Sequence, residues 1–406
     1  MADVADIELD LTQPGFYLRP DYFDFLASLR KGAPAFRCVG GSWALTRYED
    51  IRTVSRDPMR FVSRRGVLIN DPLRSDSSGE LKTFSILHLD PPIHSLYRKI
   101  VNRHFTPKAV THLESTVRRT VSEVLDATSP SKEIDGVASL AAPVPIAVIA
   151  ELFGVGDADR ELFRRWSDAV IAAPDQADGT GGNDEFRSMA EFLMGHIESS
   201  QTDGDSLLGI LKSSQLDGRP LNQLEIMGFC MTLLVAGNET TRTLISGGME
   251  ALHQHPLQRT LLAENPAMVP DAVEELLRWV TPIQAFGRTA LVDVEIAGEY
   301  IAEGDFVIML YASGNRDEAV FGPTAGQFDV SRPVSPTHLA FGFGEHLCLG
   351  ASLARLEARV YFEELLARYP DYDLPAPAEY VRSTLVRGAA TMPMVLEPPG
   401  GGASGS

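Results

Sequence analysis

Apolar residues recur at three- and four-residue spacing, with charges between them, over Pro107–Leu125, Asp157–Ala173 and Phe186–Ser199, a period that predicts helices. The stretch "ASLARLEARVYFEELLARY" from Ala351 reads as an amphipathic helix with Leu353, Leu356, Val360 and Leu365 near one face. Asn222 followed by Glu225 makes a capped start for a helix running to about His255. At 1.5 Å per residue it would be about 50 Å long, enough to cross the molecule. Shorter runs with β-branched or aromatic residues beside turn formers predict strands: Gly41–Tyr48, Asp293–Ile301 and Phe306–Ser313. Ala172–Asp184 reads as a surface connection, and Pro398–Ser406 as a low-complexity tail. With no repeat and no dividing linker, the expectation is one mainly α domain with a minor β region over residues 1–397 and a flexible tail over 398–406.

The long helical run has an odd centre. Its greasy surroundings are interrupted by Gly237, Asn238, Glu239, Thr240 and Thr241. Burying a carboxylate costs several kcal/mol unless it is paired or neutralised.

Charge narrows the functions available. Lys plus Arg number 36 against 55 Asp plus Glu, for a net charge of −19. That balance argues against nucleic acid and against an anionic membrane surface as partners. The longest uncharged run, Val137–Ala150, carries Pro143 and Pro145 and falls short of the ~18 residues of a membrane span. Three scattered cysteines, Cys38, Cys230 and Cys348, have no zinc-type spacing and suit a reducing cytoplasm.

Cys38 and Cys230 read as buried structural cysteines. Cys348 lies in "FGFGEHLCLG", where three glycines in ten residues require sharp turns or a close approach. It stands just ahead of a helix start, whose free amides and macrodipole favour a thiolate. A structural cysteine, a nucleophile with His346 as base, and an axial ligand to haem iron are the three readings of that sulfur. The nucleophile explains neither the glycines nor Phe341. A thiolate held in a glycine loop is what haem iron needs.

The string resembles the haem-binding loop of the cytochrome P450 family, Phe-Gly-x-Gly-x-His-x-Cys-x-Gly, at every fixed position. Further motifs follow in family order: "DPPIHSLYR" (Asp90–Arg98), "AGNETT" (Ala236–Thr241), Glu275-Leu-Leu-Arg278, and "FDVSR" (Phe328–Arg332). The resemblance covers nearly the whole chain and implies the P450 fold, with the long central helix over the haem. It implies haem b (iron protoporphyrin IX) with Cys348 as its axial ligand and Phe341 packed beneath the porphyrin. His94, Arg98, Arg288 and His346 would hold the propionates, while Glu275, Arg278 and Arg332 would form a buried structural triad. Gly237 would clear space over the distal face, and Thr240 would loosen the helix by bonding back one turn. Glu239 and Thr240 match the acid–alcohol pair that the family uses to deliver protons.

Members that consume peroxide tend to lack that pair, so the resemblance favours an O2-dependent monooxygenase. Peroxygenase or isomerase chemistry on the same haem, and a non-catalytic haem sensor, are the alternatives. No reductase segment is present, which implies electrons from NAD(P)H through a ferredoxin and a ferredoxin reductase. Lys99, Arg103, Arg355 and Arg359 form the expected docking patch on an otherwise acidic protein. Pocket walls are expected from Val235, Ala236, Ile283, Gln284, Ala285, Phe286, Leu385 and Val386, with contributions from Val67–Leu87 and a helix ending near Ile171. They suit a hydrophobic small molecule such as a sterol, terpenoid or fatty acid.

Overall fold

The computed structural model describes residues 9–75, 85–155, 159, 161–166, 183–199 and 206–397. The expected helix end at Ile171, the connection over 172–182, residues 76–84 and the tail 398–406 lie outside them.

One helix organises the rest. Gln223–Gln254 spans 32 residues and begins with a reciprocal capping box. The Glu225 amide donates to Asn222 Oδ1 over 2.9 Å, and the Asn222 amide donates to Glu225 Oε2 over 2.8 Å. Two orphan amides are thereby satisfied at the start. Arg219 and the Tyr97 hydroxyl also bond Glu225, whose carboxyl is held down to about 2, chiefly by Arg219. Helices Pro143–Phe153, Asn183–Ser199, Val269–Val280 and Ala351–Arg368 pack around this axis. Apolar side chains at the crossings, among them Phe229, Leu244, Met249, Tyr361 and Phe362, form the largest core cluster.

A five-stranded sheet stands beside the bundle, in the order Ala35–Arg37, Trp43–Leu45, Phe306–Leu310, Ala285–Ala290, Phe61–Val62. Only the pairing of Trp43–Leu45 with Phe306–Leu310 is parallel. Because successive strand residues face opposite sides, Phe306, Ile308 and Leu310 meet an N-terminal cluster with Tyr17, Tyr22 and Leu26. Val307 and Met309 meet a second cluster with Trp43, Ile51 and Tyr311. Among the described residues, no helix is long and apolar enough to cross a membrane.

Several expected boundaries shift. Gly41–Tyr48 yields only the strand Trp43–Leu45, and Tyr48 opens a helix to Arg56, its amide held by Asp317 Oδ2 over 2.9 Å. Phe306–Ser313 stays extended to Leu310 and then coils through Tyr311–Gly314. Asp293–Ile301 is a hairpin, Val294–Ile296 with Glu299–Ile301, turning through Ala297 and Gly298 at positive φ. Pro107–Leu125 divides into Pro107–Val110, a 3-10 turn, and Glu114–Asp126. The Thr111 hydroxyl bonds the Pro107 carbonyl over 3.0 Å at that break and competes with the helix ladder. The helix from Ala351 is not one-sided: Glu357, Ala358, Tyr361, Phe362 and Leu366 are buried along with the expected stripe.

Candidate active site

The loop Phe341–Gly350 leads directly into Ala351–Arg368. Gly342 and Gly344 take φ of 69° and 73°, and a Cβ on Gly344 would lie 2.1 Å from the Ser55 carbonyl oxygen. Only glycine fits there. The Cys348 amide closes the loop onto the Phe341 carbonyl over 2.9 Å. Cys348 is accessible, yet surrounding protein desolvates its sulfur enough to push the thiol up, against the Gly350 amide and the charges of Arg98 and Arg355. A side chain both accessible and desolvated borders an internal hollow. Burial opposes the helix start at this sulfur.

Phe341 is half-buried, with the Arg355 guanidinium 4.6 Å from its ring centre and the His338 ring 5.6 Å away. Glu274 holds both neighbours, through Arg355 at 2.6 and 2.9 Å and His338 at 3.3 Å. Burial raises the Glu274 carboxyl, but these two bonds outweigh it and bring it down to about 2. The next residue, Glu275, accepts two bonds of 2.7 Å from Arg278 and one of 3.1 Å from Arg332. Arg278 also donates to the carbonyls of Asn315, Ala325 and Gln327. Two adjacent carboxylates on one helix thus clamp the segments leading into the cysteine loop. Sequence reasoning found Glu275 and missed Glu274, whose only sequence signal was its place beside Glu275.

Cations gather along one side. His94 and Arg98 share a face of the helix Ile93–Asn102. His94 is buried, 3.4 Å from Glu345 Oε1, with its ring 4.0 Å from that of His346. His346 reaches the Ser63 hydroxyl at 3.3 Å. Burial, then the charges of Arg288, His94 and Arg98, pull the His346 imidazole down to about 2, so it is neutral. Arg288 is buried on the strand Ala285–Ala290 and, among the described residues, donates only to the Gly287 carbonyl, over 2.7 Å. Arg98 is half-buried and makes no hydrogen bond among the described residues. Guanidiniums withdrawn from water without a carboxylate are costly unless an anion completes them. The two propionates of a haem would meet that need, and Cys348 would offer a sulfur to its iron; the residues present fit the group. Among the described residues, no group of three or more His, Cys, Asp or Glu could hold a metal ion by itself, whereas a macrocycle brings four ligands of its own.

His88 joins this edge unannounced by the sequence. It bonds Asp71 Oδ2 over 2.8 Å, and its Nδ1 is buried without a partner among the described residues.

The long helix shows the hollow a different face. Ala236 is exposed and Val235, Gly237 and Thr240 are partly so, while Asn238, Glu239 and Thr241 to Ser246 are buried. Thr240 Oγ1 donates to the Ala236 carbonyl over 2.7 Å, a back-bond that occupies an acceptor of the helix ladder. Glu239 accepts from Arg242 Nη2 over 2.7 Å, so the carboxylate in the greasy run is paired within its own helix. Gly237 also meets a neighbour that the sequence did not announce. A Cβ there would lie 2.8 Å from Ile149 Cδ1, so its smallness serves packing against Pro143–Phe153.

The expected pocket walls separate into two groups. Val235, Ala236, Ile283, Phe286 and Leu385 retain accessible surface; Gln284, Ala285 and Val386 are buried. The Gln284 side chain donates to the Thr281 carbonyl and accepts from the Tyr22 hydroxyl at 3.0 Å, and Ala285 belongs to the N-terminal cluster. Val386 pairs with Ile283 in a β-bridge. These three shape the wall from behind. The docking patch also halves. Arg355 is taken by Glu274, and Arg359 by Glu114 at 2.7 Å and Glu363 at 3.0 Å. Lys99 and Arg103 remain exposed along a cleft of about 490 Å3 that also includes Arg98 and Glu345.

The family profile described as Cytochrome P450 matches residues 189–371. The methyl-branched lipid omega-hydroxylase of Mycobacterium tuberculosis is 36% identical, over 96% of this chain and 95% of that protein. The steroid C26-monooxygenase of the same organism is 34% identical, over 98% and 99% respectively. The structure of Mycobacterium marinum cytochrome P450 CYP268A2 in complex with pseudoionone superposes with a TM-score of 0.86 at 32% identity, covering 96% of this chain and 99% of that one. With its thiol loop, its convergent cations and these relatives matched almost end to end, the chain belongs to the cytochrome P450 family and is a P450 monooxygenase.

Proposed function

We propose that the protein hydroxylates a hydrophobic small molecule of sterol, terpenoid or fatty-acid type, using O2 and electrons from NAD(P)H through a ferredoxin and its reductase. When bound, haem b supplies oxygen activation. Cys348 donates its thiolate to the iron, and Arg98, Arg288, His94 and His346 hold the propionates by charge-assisted bonds. Thr240 presents its hydroxyl to the hollow and passes protons inward, and Glu239 replenishes them by swinging away from Arg242. Val235, Ala236, Ile283, Phe286 and Leu385 exclude water and orient the substrate. The chain acts as one catalytic domain in the cytoplasm, where its three free cysteines stay reduced. Lys99 and Arg103 receive the acidic ferredoxin.

The observation that carries this reading is the back-bonded Thr240 on the accessible face of a buried helix, next to Glu239. The substrates named for the similar lipid and steroid enzymes support the substrate class. The test is a screen of sterols, terpenes and fatty acids for a spin-state shift of the Soret band, followed by turnover with NADPH, ferredoxin and reductase. Product that forms with those partners and O2, and not with hydrogen peroxide alone, supports a monooxygenase. The reverse dependence makes the protein a peroxygenase.

A further inference from the structure

The strand Ala285–Ala290 carries polar chemistry on both faces. Arg288 faces the haem side, and Thr289, the next residue, faces the other. On that far face a cleft of about 460 Å3 is lined by Arg37, Ser42, Arg65, Arg74, Thr289 and Phe306, with Asp305 as the one carboxylate. The floor is prebuilt. A Cβ on Gly287 would lie 2.0 Å from the Phe306 ring, so the missing side chain lets that ring lie across the strand. The Arg74 guanidinium stacks 3.9 Å above Phe306 and donates to Ser42 Oγ over 2.7 Å and to the Ile69 carbonyl. Arg37 is steered by the Gly41 carbonyl at 3.4 Å and by the Trp43 ring. Arg65 makes no hydrogen bond among the described residues.

None of the three arginines makes an ion pair among the described residues, in a chain whose 55 acidic side chains outnumber its 36 basic ones. Asp305 does not serve them: its Oδ2 accepts from Trp43 Nε1 at 2.9 Å and from the Ala302 amide at 3.0 Å. Burial lowers the Arg74 guanidinium more than the nearby charge of Asp71 raises it, so a further anion would relieve it.

We propose that this cleft binds a small, multiply charged anion through its carboxylate or phosphate groups, at a second site across the sheet from Cys348. Guanidinium forks match the oxygens of either group in pairs, and Ser42 and Thr289 add hydroxyls. The volume suits a small molecule, and the mainly polar walls favour a charged one.

The test is calorimetric titration of the haem-loaded protein with inorganic phosphate, citrate and chloride at fixed ionic strength. Phosphate or citrate should bind saturably at one site per chain, at least tenfold tighter than chloride; which of the two binds separates the phosphate from the carboxylate class. The double substitution Arg37→Ala, Arg65→Ala removes exposed side chains and should weaken binding at least tenfold, while Arg382→Ala leaves it unchanged. Non-saturating heats, equal affinity for chloride, or tight binding that survives the double substitution would overturn the proposal.

Discussion

Glu357 sits on the helix that leads away from Cys348, 2% exposed, with Oε2 buried and without a hydrogen-bond partner. Burial pushes its carboxyl from 4.5 up to about 8. Between those values the folded protein holds a proton that the unfolded chain releases, so stability falls as pH rises through the window. The full effect is absent below the unfolded value and complete above the folded one. Each pH unit inside the window is worth about 1.4 kcal/mol, and the linkage integral from pH 5 to pH 7 comes to about 2.5 kcal/mol. Glu357→Gln keeps the shape and removes the titration. Urea unfolding of both proteins at the two pH values, followed by circular dichroism, should show the variant gaining that amount relative to wild type. In a chain of this length it corresponds to about 3 °C in Tm. Parallel pH dependence in the two proteins would show that Glu357 is ionised in the fold and that the reasoning fails.

Thr240→Ala should leave the carbon monoxide spectrum unchanged while product per NAD(P)H consumed falls by roughly tenfold or more; intact coupling removes Thr240 from proton delivery. Gly237→Ala should gain about 1 kcal/mol of helix propensity only when Ile149→Val has first removed the methyl it would strike. An identical gain with Ile149 present, read by urea unfolding, would show that Ile149 does not constrain Gly237. Arg103→Glu should slow ferredoxin association several-fold at low salt in stopped flow. Arg359→Glu should instead lower Tm, because its guanidinium is bonded to Glu114 and Glu363.

What the sequence made legible was what local spacing encodes. The Asn222–Glu225 cap marked the long helix to within a residue at each end, and the glycine loop placed Cys348 ahead of its helix. Side-chain partners between distant segments were less legible. Nothing near Arg359 announces Glu114, which lies 245 positions away and takes a charge that the docking patch required. The approach of Ile149 to Gly237 could not be read from the chain because Ile149 belongs to another helix. The burial of Gln284 and Ala285 was hidden because the Tyr22 hydroxyl that bonds Gln284 and the cluster that covers Ala285 come from the distant N-terminal segment. His88 and Glu274 escaped notice because their importance lies in Asp71, Arg355 and His338, partners the fold alone brings to them.

The sulfur of residue 348 is the most direct point of attack. Purified protein, reduced and exposed to carbon monoxide, should give the red-shifted Soret band of a thiolate-ligated haem, set by the donor strength of the axial ligand. Cys348→Ala should lose that band while the folded helical spectrum persists. A wild-type band at the unshifted position of a haem without thiolate ligation in intact protein, or a thiolate band that survives the substitution, would contradict the account.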